Sequence, residues 1–82
     1  MTNFEKKKLE FDFLVFFKKN FVKPRQCKNI DELRFYVKEL SDKIEEMKGK
    51  FNHVPDVAYQ LLTEYNQLQN KKLFTEFKNT YH

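Results

Sequence analysis

Glycine, proline and cysteine are scarce in this chain of 82 residues, which contains one glycine, two prolines and one cysteine. A loop that cradles phosphate groups needs several glycines, so the sequence predicts no such loop. A single cysteine cannot form an intramolecular disulfide, and it indicates a reducing compartment. The shortage of glycine and proline also leaves few positions at which a helix must end.

Long apolar runs are also missing. The longest uninterrupted run, residues 13–17, is far too short to cross a bilayer. The apolar stretch that follows the lysines at 6–8 is interrupted by Glu10 and Asp12, so it does not resemble a secretory signal peptide. We therefore expect a cytoplasmic protein without a membrane span.

Few residues offer catalytic or metal-binding chemistry. A nucleophile and its base would have to come from Ser41, Cys27, His53 and His82, whose spacing matches no catalytic motif. Two histidines and one cysteine supply too few ligands for a convincing zinc site. We expect no enzymatic activity, no metal and no cofactor.

Amino acids with AT-rich codons are abundant. Phe, Tyr, Met, Ile, Asn and Lys account for 39 residues, whereas Gly, Ala, Arg and Pro account for 6. This bias indicates an AT-rich genome, such as that of a low-GC bacterium, its phages or its plasmids. Part of the excess of phenylalanine and lysine therefore reflects codon usage rather than function.

The first predicted helix covers residues 3–22. Thr2 is a suitable N-cap and Glu5 follows at the spacing of a capping box, while Pro24 ends the helix because the residue before a proline avoids helical angles. Residues 9–17 also alternate like a strand, but no other segment offers a strand to pair with.

The second predicted helix covers residues 30–51, with Asn29 as its N-cap and Glu32 at the capping-box position. Its apolar residues recur at steps of three and four, which is the pattern of a heptad seam. The seam consists of Ile30, Leu33, Val37, Leu40, Ile44, Met47 and Phe51.

The C-terminal part is predicted to contain helices over residues 55–69 and 71–80, the first starting near Pro55. The apolar side chains after residue 72 lie on a face turned by well over 90° from the preceding stripe; they are Leu73, Phe74, Phe77 and Tyr81. Either the helix breaks near residues 69–72, or one long helix presents two faces. The whole pattern predicts a single all-α domain over residues 1–82, a small three- to four-helix bundle with a long heptad-patterned central helix.

The first helix is apolar over most of its circumference. One side is shared by Phe4, Phe11, Val15 and Val22, and it is extended by Phe17 and Phe21, while Leu9, Phe13 and Phe16 lie further round. Such a helix is buried from more than one side, and in a short chain the second covering surface is another subunit or a partner protein. We predict that the partner-binding residues are Phe13, Phe16, Phe17, Phe21 and Phe35, for which packing in the core is the alternative.

Charge is unevenly distributed along the chain, with net charges of +5 over residues 1–28, −3 over 29–47 and +2 over 48–82. A basic cluster lies near the end of the first helix and consists of Lys18, Lys19, Lys23, Arg25 and Lys28. These side chains either bind the phosphates of a nucleic acid or complement the helix dipole. The acidic middle segment offers a surface for the basic front of a second copy, which would produce a homodimer.

These features favour a small, non-enzymatic protein–protein interaction module, encoded by a phage or mobile element, that binds and inhibits a host protein. The alternative is a regulator that binds nucleic acid through its basic cluster over residues 18–28.

Overall fold

Helices account for nearly all of the backbone. The computed structural model describes the backbone of residues 1–80 and the side chains of residues 1–73. It consists of α1 (Asn3–Asn20), a short 3-10 turn (Pro24–Gln26), α2 (Ile30–Phe51) and α3 (Asp56–Thr80). No strand is present over residues 1–80, so the all-α prediction is confirmed and the strand alternative for residues 9–17 is wrong.

Both predicted N-caps are confirmed, although Glu5 accepts from the Thr2 hydroxyl and Glu32 from the Lys28 N–H instead of from the backbone N–H of the cap residue. The Thr2 side chain accepts a hydrogen bond from the Glu5 backbone N–H over 3.2 Å at the start of α1. The Asn29 side chain accepts one from the Glu32 N–H over 2.9 Å at the start of α2. Each cap satisfies an N–H group that has no partner within its own helix.

α1 ends at Asn20, two residues before the predicted end at Val22. Phe21 is already extended, with φ −124° and ψ 149°. The Tyr65 hydroxyl donates a hydrogen bond to the Val22 carbonyl. This carbonyl therefore accepts from a side chain of α3 and not from a backbone N–H of a continuing helix. This contact with α3 could not be predicted from local sequence.

α2 has the same bounds as the sequence predicts, and it is capped after Phe51 by Asn52, whose φ of 52° is left-handed. Asparagine is one of the few residues that adopt this conformation at modest cost, and its N–H donates to the Lys48 carbonyl over 3.0 Å. Of the seven predicted seam residues, Leu33, Leu40, Ile44 and Met47 are buried, Ile30 and Val37 are half-buried, and Phe51 is exposed.

α3 is one continuous helix, so the predicted break near residues 69–72 and the separate helix over 71–80 are wrong. Residues 69–72 contain neither proline nor glycine, and nothing in them interrupts the backbone hydrogen bonds. Leu73 is exposed at this point of α3. The side chains of Phe74 and Phe77, and Tyr81 as a whole, lie outside the described residues.

Consecutive helices run in opposite directions. Leu9 near the start of α1 lines the same groove as Met47 near the end of α2, whereas Phe21 just after α1 contacts Tyr36 in the first half of α2. α3 runs back along α2, because Lys72 in the second half of α3 lies near the start of α2. Its Nζ donates to the Cys27 carbonyl over 3.4 Å, just before α2 begins. Short connections between antiparallel neighbours account for this arrangement.

Aromatic rings form the centre of the core. Phe17 stacks on Phe21 with ring centroids 5.0 Å apart, and Tyr65 contacts both rings at 6.3 and 6.4 Å. Tyr36 completes the group, with its ring 5.8 Å from that of Tyr65. Burial raises the pKa of the Tyr65 hydroxyl above its ordinary value, as expected for a phenol removed from water.

The molecule is elongated, with extents of 55 × 21 × 16 Å. Its radius of gyration of 15.0 Å exceeds the value of about 12 Å expected for a compact domain of this length. More of each helix therefore faces solvent than in a rounder protein. Within the described residues, no helix is long and apolar enough to cross a membrane.

Replacing Tyr65 with Phe tests the hydrogen bond between its hydroxyl and the Val22 carbonyl. The ring still fits, but the Val22 carbonyl loses its donor, so we expect a loss of about 1–3 kcal/mol in the free energy of unfolding. Urea denaturation followed by circular dichroism measures this loss. Tyr59→Phe is the matched control, because Tyr59 is exposed and its replacement should change stability by less than about 0.5 kcal/mol. Equal stability of the two variants would contradict the assignment.

Candidate protein-binding surface

One side of α1 packs into the core, and we call it the inner face. It consists of Leu9, Phe13 and Phe17, which are spaced by four residues and therefore share one side of the helix. All three are buried, and Phe13 is only 1% exposed. α2 and α3 cover this side.

The opposite side of α1 also carries large apolar side chains, and we call it the outer face. It consists of Phe4, Phe11, Leu14 and Val15. At about 100° per residue, its centre lies about 160° around the helix from the inner face. All four side chains are exposed, Phe4 by 77% and Phe11 by 65%. α1 therefore has two opposed apolar faces, of which the chain itself covers one.

The five predicted partner-binding residues are not brought together on one surface. Phe13 and Phe17 are both buried in the core, with 1% and 8% of their surface exposed, and Phe17 also lines a groove at the surface. Phe16 and Phe21 are half-buried: Lys43 Nζ lies 4.5 Å from the centre of the Phe16 ring, and Phe21 packs in the aromatic core. Phe35 is 57% exposed on α2, where its ring edge meets Tyr36.

Sequence reasoning did not choose the outer face as the binding surface, although helical periodicity places Phe4, Phe11 and Val15 on one side. Helical periodicity shows that α1 has two apolar faces. Because both carry large apolar residues, the sequence pattern does not tell which of them packs into the core. The inner face is set by which side chains fit against Tyr65 and Met47, and this depends on tertiary packing.

Lysines surround the outer face. By helical position, Lys7 and Lys18 lie within it and Lys8 lies at its edge, whereas Glu10 and Asp12 lie on the two flanks. All five side chains are exposed. Lysine stems cover apolar surface while their ammonium groups stay in water, so the outer face combines apolar area with positive charge.

An open groove of about 470 Å³ adjoins the outer face at the C-terminal end of α1. Leu14 and Lys18 belong to both surfaces, and the groove extends from them toward the 3-10 turn. Its remaining lining residues are Phe17, Phe21, Lys23 and Gln26. None of the six lining residues is acidic, and the stacked rings of Phe17 and Phe21 supply its apolar wall.

The predicted basic cluster is exposed at all five positions. Lys18 and Lys19 lie in the last turn of α1, Arg25 lies in the 3-10 turn, and Lys23 and Lys28 lie on either side of that turn. Among the side chains of residues 1–73, none of the five forms an ion pair with a carboxylate. Their charge is therefore available both to solvent and to the helix dipole.

The outward side of α2 is acidic. The exposed carboxylates that share this side with Phe35 are those of Asp31, Glu39, Asp42, Glu45 and Glu46. A hydrogen bond from Lys50 over 3.3 Å, together with Lys43 at 3.7 Å, lowers the pKa of Glu46 below its ordinary value. This surface is opposite in charge to the basic segment over residues 1–28.

The thiol of Cys27 is buried. Burial raises the pKa of the Cys27 thiol, and the nearby Glu32 carboxylate adds to this effect, so the thiolate that would act as nucleophile is disfavoured. Over residues 1–73, no three His, Cys, Asp or Glu side chains are grouped closely enough to hold a metal ion.

Comparison with protein-family models, curated proteins and solved structures gives no match.

The burial of Cys27 can be tested with a thiol reagent. We expect Ellman's reagent to react with the folded chain at least about tenfold more slowly than with the chain in concentrated urea, because access requires local opening. Free glutathione measured in both solutions corrects for the effect of urea on the reagent. Equal rates for the folded and unfolded chain would show that Cys27 is accessible.

Proposed function

We propose that this protein is a small protein-binding module that docks onto its partner through the outer face of α1. The two opposed apolar faces of α1 are the observation that supports this. Contiguous exposed apolar side chains rimmed by polar ones are typical of interaction surfaces, and large aromatic residues are favoured at their centres. Phe4 and Phe11 would supply those aromatic contacts.

The partner we propose is a host protein, which the module inhibits, and the gene belongs to a phage or mobile element. The codon bias of the sequence supports the origin, and the lack of catalytic groups in the described residues favours action by binding. In fold terms we propose a helical bundle organised around the heptad pattern of α2. We also propose a cytoplasmic location, which is supported by the single cysteine.

Self-association is a less favourable use of the outer face. Pairing two copies through it would bring the Lys7 and Lys18 side chains of both copies together, and like charges at an interface cost free energy. A homodimer would be more favourable if the basic segment over residues 1–28 of one copy packed on the acidic side of α2 in another. Sedimentation velocity at several concentrations and salt strengths measures this alternative directly.

The docking proposal predicts that Phe4→Ser/Phe11→Ser abolishes partner capture without unfolding the chain. Both side chains are exposed, so each replacement should change the free energy of unfolding by less than about 0.5 kcal/mol. Tagged protein is incubated with host lysate, and proteins bound to each variant are compared by quantitative mass spectrometry. Captured proteins should be lost with the double variant and retained with Tyr59→Ser, which removes an exposed ring from α3. Loss of the same proteins with Tyr59→Ser, or retention with the double variant, would contradict the proposal.

Nucleic-acid binding is the second candidate function, supported by five exposed basic side chains without carboxylate partners in the described residues. If it is correct, duplex DNA should be shifted in a mobility assay at low salt. The logarithm of the affinity should fall by about 0.9 per log unit of salt for each phosphate neutralised. Lys23→Gln/Arg25→Gln should reduce that slope, while Lys38→Gln/Lys48→Gln on α2 should not. A lack of any shift with duplex or single-stranded DNA at low salt would exclude this function.

A further inference from the structure

We propose that the groove at the C-terminal end of α1 receives a bulky apolar side chain from an acidic segment of the partner protein. This inference rests on the proposed function and deepens it, because it names the chemistry of the partner. The groove consists of Leu14, Phe17, Lys18, Phe21, Lys23 and Gln26.

The size and lining of the groove favour an apolar side chain. Its volume of about 470 Å³ lies within the range of about 300–1,000 Å³ typical of small-ligand pockets, which gives room for a ring as large as that of Trp. Phe17 and Phe21 are stacked with an angle of 13° between their rings, so they present a nearly continuous wall. An aromatic side chain inserted beside this wall would gain the offset or edge-to-face contacts that rings prefer.

The charges around the groove favour an acidic partner segment. Lys18 and Lys23 are exposed, and neither forms an ion pair among the side chains of residues 1–73. The groove has no acidic lining residue, so a positively charged partner would meet only repulsion there. Carboxylates on either side of the inserted ring would meet the two ammonium groups.

The position of the groove connects it with the outer face. Leu14 and Lys18 belong to both surfaces, so a segment that covers Phe11 and Leu14 along α1 reaches the groove without leaving the protein surface. A single amphipathic partner segment would therefore contact the outer face along its length and insert one large side chain at its end. This is the pattern of a helix docked on an apolar surface with a few anchoring residues.

The experiment uses a synthetic peptide with one Trp flanked by glutamates. The protein contains no tryptophan, so the fluorescence of the peptide reports on its own environment. Titration with the full chain at low salt should shift the emission to shorter wavelengths, as expected when Trp leaves water. Backbone amide shifts in ¹⁵N-labelled protein should change chiefly over residues 14–26.

Variants of the chain and of the peptide provide the controls. Lys18→Glu/Lys23→Glu should weaken binding by about tenfold or more, since two attractive charge pairs become repulsive. Lys38→Glu/Lys48→Glu, which makes the same change in net charge on α2, should weaken it much less. A peptide with lysines in place of the glutamates should not bind.

Several outcomes would overturn the inference. These are no emission shift with the acidic peptide, equal binding of the lysine peptide, equal loss with both charge-reversal pairs, or amide shifts confined to other residues. Tighter binding to vesicles of anionic phospholipid or to duplex DNA than to the peptide would assign Lys18 and Lys23 to a different ligand, and would also overturn it.

The failures of the two proposals are distinguishable. Phe4 and Phe11 lie outside the groove, so the pull-down with Phe4→Ser/Phe11→Ser tests the outer face independently. If the peptide does not bind but capture still depends on these two residues, only the groove assignment is wrong. If the peptide binds the groove but capture does not depend on Phe4 and Phe11, only the docking proposal is wrong.

Discussion

The structure depends on the packing of α1 against α2 and α3. α1 is apolar on two opposed sides, and α2 and α3 cover only one of them. Phe13 and Phe17 enter the core, where Phe17 meets Phe21 and Tyr65. Burying these rings supplies much of the hydrophobic free energy available to so short a chain. The Tyr65 hydroxyl then fixes the chain that leaves α1 by its bond to the Val22 carbonyl. The orientation of α1 follows from these contacts, and so does the exposure of Phe4 and Phe11.

The uncovered side of α1 connects the fold with the proposed function. Exposing an apolar surface to water costs free energy unless a partner covers it. The lysines around the outer face make this surface positively charged. The groove beside the 3-10 turn is lined by Phe21, which has left the helix, and by Phe17, on which Phe21 stacks. Phe17 and Phe21 therefore contribute both to the aromatic core and to the wall of the groove.

Much of the local structure could be predicted from the sequence. The caps at Thr2 and Asn29 and the two ends of α2 follow from side-chain chemistry and heptad spacing. The exact end of α1 was not predicted: Phe21 is already extended, and the Val22 carbonyl accepts a hydrogen bond from Tyr65, 43 positions further along the chain. The change of apolar face after residue 72 left a break and one continuous helix as alternatives, and the predicted separate helix over 71–80 is wrong because no residue there interrupts a helix. The choice between inner and outer phenylalanines was missed because both sets repeat at helical spacing, and only packing against α2 and α3 separates them.

Hydroxyl-radical footprinting of the isolated chain, resolved to single residues by mass spectrometry, tests the central claim most directly. The account predicts that Phe4 and Phe11 are oxidised much faster than Phe13 and Phe17 in dilute, folded protein, and that the difference disappears in denaturant. Equal oxidation rates for the two pairs in the folded chain would contradict the existence of one covered and one uncovered face. Faster oxidation of Phe13 and Phe17 would show that α1 packs the other way round.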